Sequence, residues 1–215
     1  MYIPFPDTDI YALTDSWQSL GRSTVDVAAA MLRGGVKLLQ YREKDKIGGE
    51  MLRECRLLRQ MTREAGCCFI VNDHVDIALL CDADGVHVGQ DDTPLADVRR
   101  LLGPDRIVGV STHARAEAEA AVAGGADYIG VGPVYATATK KEAEPVGLEY
   151  LRWAAKHCPI PFTPIGGINA ATLPEVIAAG GRCCAIGSAI TLAEDIEGRI
   201  AELREIIREA VASLR

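Results

Sequence analysis

The chain has 215 residues, 23 Lys and Arg against 30 Asp and Glu, a formal net charge of −7, and 48% hydrophobic residues. That length suits one large folded unit or two small ones, and the apolar content excludes a disordered chain. No basic stretch is long enough to track a phosphate backbone, so nucleic acid is excluded as a partner, and any anion-binding site must gather its positive charge locally.

No run approaches about 18 apolar residues, so no membrane span is expected. Met1–Asp7 shows no basic region followed by an apolar stretch, so no signal peptide is expected. The seven cysteines include no C-x-x-C pair, which reads as free buried thiols in a reducing cytoplasm.

Along the chain, short apolar runs without polar alternation recur at Ile10–Thr14, Val36–Tyr41, Cys68–Asn72, Gly85–Gly89, Ile107–Ser111, Tyr128–Gly132, Pro161–Gly166 and Cys183–Ser188. Such runs suit parallel strands buried on both faces. Helical spacing fills the intervals, as at Thr24–Arg33 and Gly49–Ala65, and Glu197–Leu214 reads as a long amphipathic final helix. Pro94 and Pro174 sit early in predicted helices. Gly34-Gly35, Gly66, Gly124-Gly125 and Gly180-Gly181 sit where helices should stop. Ala83-Asp84-Gly85 and Ala126-Asp127 each precede a strand, a repeated turn that suggests similar units.

Strand then connecting helix, eight times over, predicts a single-domain (β/α)8 TIM barrel over residues 1–215, with an open doubly wound sheet as the alternative. In such a barrel the chemistry sits at the C-terminal strand ends. Strand two ends in Gln40-Tyr41-Arg42-Glu43-Lys44, where Gln40, Arg42 and Lys44 alternate onto one side as donors for an oligophosphate, unless the segment is only a solvated turn. Strand three ends in Asn72-Asp73, and strand four in Gln90-Asp91-Asp92. Asp73 with Asp92 or Asp91 supplies the carboxylates that Mg2+ prefers, while Asp91-Asp92 also suits a helix N-cap. Strand five ends in Ser111-Thr112-His113, with Ser111 a phosphate donor and His113 a capping or solvated residue rather than a base. After strand six comes a hydroxyl-rich, then basic loop with Thr137, Thr139 and Lys140. Strands seven and eight end in Gly166-Gly167 and Gly187-Ser188, where backbone N–H groups can converge on a phosphate. Two separate anion sites imply two phosphorylated small-molecule substrates, one requiring metal.

Gln40-Tyr41-Arg42-Glu43-Lys44, Val71-Asn72-Asp73, Gly85-Val86-His87-Val88-Gly89-Gln90-Asp91-Asp92, Gly109-Val110-Ser111-Thr112-His113, Gly132-Pro133-Val134-Tyr135 and Gly166-Gly167-Ile168 together resemble the thiamine phosphate synthase family, in order and over nearly the whole chain. The resemblance implies a transferase that couples 4-amino-5-hydroxymethyl-2-methylpyrimidine diphosphate to a thiazole monophosphate and releases pyrophosphate. It implies that Gln40, Arg42, Lys44, Asn72, Ser111 and Lys140 hold the pyrimidine diphosphate. Asp73 and Asp92 would bind Mg2+, and Thr137, Thr139, Gly167, Gly187 and Ser188 would hold the thiazole phosphate. Arg42, Lys44, Ser111 and Lys140 are the expected catalytic groups, neutralising charge on the departing pyrophosphate. The aminopyrimidine tolerates positive charge at its methylene carbon, so a dissociative path needs no protein nucleophile. Two positions depart from the family pattern: Ala136 stands where many relatives have proline, and Gly187 where a larger apolar residue is common. A thiazole tautomerase of the same fold, a sugar-phosphate isomerase and a phosphate-ligand sensor are the rivals. A tautomerase should not need Arg42, Lys44, Asp73, Asp92 and Lys140 together, an isomerase leaves Asn72-Asp73 and Gln90-Asp91-Asp92 unexplained, and a sensor would bind without releasing pyrophosphate. Uncovered apolar barrel ends are compatible with a homodimer.

Overall fold

A computed structural model describes residues 3–137 and 144–214. Among these residues the apolar runs form eight strands: β1 (Ile10–Leu13), β2 (Leu38–Tyr41), β3 (Cys68–Asn72), β4 (Gly85–Val88), β5 (Ile107–Thr112), β6 (Tyr128–Val131), β7 (Phe162–Pro164) and β8 (Cys184–Ile186). Interleaved with them are α1 (Thr24–Arg33), α2 (Gly48–Glu64), α3 (Val75–Leu80), α4 (Leu95–Leu102), α5 (Arg115–Ala123), α6 (Gly147–His157), α7 (Leu173–Ala178), α8 (Ser188–Thr191) and α9 (Ile196–Ala212). Among the described residues, no helix is long and apolar enough to cross a membrane.

All the strand pairs are parallel, in the order β7-β6-β5-β4-β3-β2-β1-β8. A parallel bridge from Ile165 to Ala185 joins the two ends of that order. The sheet is therefore a closed (β/α)8 barrel, and the open-sheet alternative fails at this seam.

Both faces of each strand are buried, which is why the runs lack polar alternation. Tyr11, Leu13, Leu38, Ile70, Ile107 and Tyr128 form the inner cluster. Their neighbours Ile10, Ala12, Leu39, Phe69, Val71, Val108 and Ile129 face the helices in the larger outer core. The N-terminal segment closes the end of the barrel opposite the mouth: Phe5 stacks on Tyr128 at 4.3 Å, and the Ile3 N–H donates to the Asp105 carbonyl at 3.0 Å.

The expected helix stops are present, with Gly35, Gly66 and Gly125 at φ of 77°, 58° and 82°. Several strands are shorter than their apolar runs. Val36 belongs to the α1 stop, its N–H donating to the Met31 carbonyl at 3.2 Å. Gly166, at φ 96°, turns the chain away after β7, and Ser188 already opens α8. Pro94 is the N-cap of α4 and no side chain caps that helix, so the capping role expected of Asp91-Asp92 is not seen there. All seven cysteines are free thiols.

The repeated Asp before a strand has a common physical task. Asp84 accepts both guanidinium nitrogens of Arg59 from α2 at 2.8 Å, and also the Phe69 N–H of β3 at 2.8 Å. Asp127 accepts Arg99 of α4 at 2.6 Å and the Val108 N–H of β5 at 2.8 Å. Asp9 accepts Arg204 of α9 at 2.9 Å and the Ile10 N–H at 2.8 Å. Each carboxylate ties a helix to the N-terminal end of the sheet.

Burial grades these ties: the Arg59 and Asp84 side chains are 13% and 12% exposed, against 26% and 34% for Arg204 and Asp9. Asp84→Ala leaves a largely buried guanidinium unpaired and should cost about 3 kcal/mol of unfolding free energy. Asp9→Ala should cost about 1 kcal/mol. Urea denaturation of both variants checks the order, and equal losses would show that the ties do not depend on burial.

Candidate active site

The C-terminal strand ends open into a cavity of about 340 Å3. It gathers every expected site residue that the structure describes: Gln40, Arg42, Lys44, Asn72, Asp73, Asp92, Ser111, Thr137, Gly167, Gly187 and Ser188. Thr139 and Lys140 lie outside the described residues. His113 also lines the cavity, but its N–H and Nδ1 both engage Glu117 Oε2, at 2.7 and 3.1 Å, at the start of α5. It therefore sits as a helix-start residue. Asp91 is exposed and is not part of the lining.

The loop after β2 is held from below by a residue that the sequence reading left in a charged turn. Glu43 is 4% exposed and accepts Ser16 Oγ at 2.5 Å and Thr24 Oγ1 at 2.7 Å. Lys46 Nζ donates to Thr24 Oγ1 at 2.9 Å and to Glu54 at 2.7 Å, and Tyr41 OH donates to Glu54 at 2.7 Å. The Arg42 N–H donates to Thr14 Oγ1 at 2.9 Å, and its guanidinium lies 3.7 Å from Asp15. The Glu43 side chain and the Arg42 backbone are thus held, and Arg42 and Lys44 line the cavity.

Across from this loop stand the two carboxylates. Asp73 has a left-handed backbone, φ 60°, which an aspartate tolerates better than most residues, and its N–H donates to the His87 carbonyl at 2.8 Å. Its carboxylate accepts Lys44 Nζ. Burial pushes the Asp73 carboxyl above its ordinary pKa; Lys44 pulls it back, and the neighbouring Asp92 carboxylate pushes it up again. Asp92 also accepts the Gly89 N–H at 2.8 Å, which aims it inward. Among the described residues no set of three or more His, Cys, Asp or Glu side chains converges on one point. Two facing carboxylates without a third ligand suit a hard cation that completes its shell with substrate phosphate and water.

The cavity floor holds a polar line that strand-end reading missed. Gln40 Nε2 donates to Tyr11 OH at 2.7 Å, and Tyr11 OH lies 2.8 Å from Tyr128 OH. Tyr128 OH lies 2.8 Å from His87 Nδ1, and His87 Nε2 lies 2.9 Å from Ser111 Oγ. Burial lowers the His87 pKa to about 4 and raises those of both tyrosines, so all three side chains are neutral near pH 7. Gln90 fixes the far end, donating to the Ser111 carbonyl at 2.7 Å. The Tyr128 ring occupies space that Gly109 leaves, since a Cβ there would lie 2.1 Å from it.

The opposite wall is rich in glycine backbone. Gly166 and Gly167 have φ of 96° and 65°, and a Cβ on either would strike Pro133 at 2.4 Å or Tyr135 at 2.6 Å. Gly187 caps the four-residue α8, with Ser188 as its first residue. Such a wall presents N–H groups, not side-chain charge, to an anion. The cavity therefore offers cations and carboxylates on one side and backbone donors on the other.

A sequence profile described as "Thiamine monophosphate synthase" matches residues 10–190. The chain is 51% identical to the thiamine-phosphate synthase of Lawsonia intracellularis over 202 residues, covering 94% of this chain and 93% of that protein. It is 52% identical to that of Pelotomaculum thermopropionicum, with the same coverage. The solved thiamine phosphate pyrophosphorylase from Pyrococcus furiosus superposes with a TM-score of 0.87 at 37% identity, covering 94% of this chain and 96% of that one. With its barrel, its two-sided cavity and these relatives, the chain belongs to the thiamine monophosphate synthase family.

Proposed function

We propose that residues 1–215 form one catalytic barrel with thiamine phosphate synthase activity. It joins 4-amino-5-hydroxymethyl-2-methylpyrimidine diphosphate to 4-methyl-5-(2-phosphoethyl)thiazole, or to its carboxylated form with loss of carbon dioxide. Thiamine phosphate and pyrophosphate are the products. The observation that carries this reading is the division of one cavity into a cationic side with paired carboxylates and a glycine-backbone side.

Arg42, Lys44, Ser111 and, from the family resemblance, Lys140 hold the diphosphate, with Gln40 and Asn72 on the pyrimidine. Asp73 and Asp92 would hold Mg2+, whose chemistry there is to neutralise phosphate oxygens. Gly167, Gly187 and Ser188, with Thr137 and Thr139, receive the thiazole phosphate. The bond from the methylene carbon to the bridging oxygen breaks, and pyrophosphate leaves with the electron pair. Arg42 and Lys44 stabilise that charge, with Thr14 holding the Arg42 backbone and the buried Glu43 anchoring the loop between them. The thiazole nitrogen lone pair then forms the new carbon–nitrogen bond. Position alone is required of the protein at that step.

Pyrophosphate release with both substrates, in Mg2+ or in EDTA, tests the reading. Release should require both substrates and Mg2+, with thiamine phosphate appearing in equal amount. Folded protein that binds either ligand without release would reject the synthase and favour a tautomerase or a sensor. Asp92→Ala should lower kcat by about 100-fold with little change in Tm; near-normal turnover would remove Asp92 from the metal site. Glu43→Gln should lower kcat/KM for the pyrimidine diphosphate by about 10-fold. The KM for the thiazole phosphate should stay unchanged, and an equal loss for both substrates would mean that Glu43 supports the fold rather than the loop.

A further inference from the structure

Gln40 on β2, Tyr11 on β1, Tyr128 on β6, His87 on β4 and Ser111 on β5 form one unbranched hydrogen-bonded line across the barrel interior. Gln40, Tyr11 and Tyr128 are 3%, 1% and 0% exposed, and Phe5 stacks over Tyr128 from the closed end. The line is built for: Gly109 leaves the space that the Tyr128 ring fills, and a Cβ on Gly130 would press His87 at 3.3 Å.

Each hydroxyl in the line owns one hydrogen, and a neutral imidazole donates through one nitrogen and accepts through the other. The direction of one bond therefore sets the direction of all. When Gln40 donates through Nε2, Tyr11 donates to Tyr128, Tyr128 to His87 Nδ1, and His87 Nε2–H to Ser111. The Ser111 hydrogen is then free for the cavity, and Gln40 Oε1 is free to accept a hydrogen there. With the amide turned over, every bond reverses. Ser111 spends its hydrogen on His87 and shows an anion only lone pairs. The two arrangements hold the same atoms and the same hydrogens. A mixed one leaves a buried bond unmade.

We propose that Tyr11, Tyr128 and His87 are positioning residues that couple the amide orientation of Gln40 to the donor state of Ser111. A ligand amine that donates to Gln40 thereby selects Ser111 as a donor toward an anion in the same cavity. The coupling rests on the cavity taking an aminopyrimidine and a diphosphate. An amine-bearing heteroaromatic ring and an anion then reinforce each other without touching.

Calorimetry with two separate probes, 4-amino-2,5-dimethylpyrimidine and inorganic pyrophosphate with Mg2+, tests it. In the unmodified protein, saturating aminopyrimidine should tighten pyrophosphate binding by about 5-fold or more. Tyr128→Phe should reduce that gain below about 2-fold, Ser111→Ala should do the same, and the double variant should lose no more than either single one. Coupling that survives Tyr128→Phe would overturn the relay alone. Failure of the unmodified protein to bind pyrophosphate would overturn the diphosphate reading, and the relay with it. If Tyr128→Phe does not fold, the 15N spectrum of labelled histidine in the unmodified protein decides. Hydrogen on His87 Nε2 with both probes bound supports the relay, and hydrogen on Nδ1 overturns it.

Discussion

Parallel pairing all the way round the barrel is the constraint on which the rest depends. Because every strand runs the same way, each delivers its last residues to one rim and its first residues to the other. The two rims then have different tasks. Asp9, Asp84 and Asp127 work at the strand starts, tying helices to the sheet. Asp73, Asp92, Arg42 and Lys44 stand at or just past the strand ends and line the cavity. Similar residue types thus tie helices to the sheet at one rim and line the cavity at the other.

A barrel this small must fill its interior, yet a cavity that takes polar ligands needs polar groups on its floor. The chain meets both demands with amphipathic rings. Tyr11 and Tyr128 are members of the inner apolar cluster while their hydroxyls join the line from Gln40 to Ser111. Phe5 covers the Tyr128 ring from the closed end, while the other members of the line border the cavity. The same burial keeps the His87 ring neutral.

Much of the fold was legible in the sequence, because a strand buried on both faces writes itself as an apolar run and a helix stop writes itself as glycine. Strand ends were less legible: Val36 is apolar but serves a turn, and Gly166 is set by φ rather than by hydropathy. Strand-end reasoning brought Gln40, Arg42, Lys44, Asn72, Asp73, Asp92 and Ser111 to one cavity, since alternation places them on the mouth side. It passed over Tyr11, His87 and Tyr128, which lie within apolar runs and look like core from composition. Glu43 was hidden for the opposite reason. A charge among charges reads as solvated, and only the three-dimensional placement of Ser16 and Thr24 shows that it is buried.

The barrel is a ring with one light clasp. β1 pairs with β2 and with β8 over three residues each, whereas among the described residues the backbone pairing between the β7 and β8 ends is the single Ile165–Ala185 bridge. That clasp lies beside Gly166, Gly167 and Gly187, on the wall without side-chain charges. The charged wall is held by strand ladders and a buried carboxylate network, whereas the glycine wall is held by turn bonds, the Tyr135 N–H donating to the Gly166 carbonyl at 3.1 Å and Thr172 Oγ1 to the Gly167 carbonyl at 3.0 Å. The residues that shape this wall are therefore also the ones that close the ring, so the outline of the cavity and the closure of the barrel are set at one place.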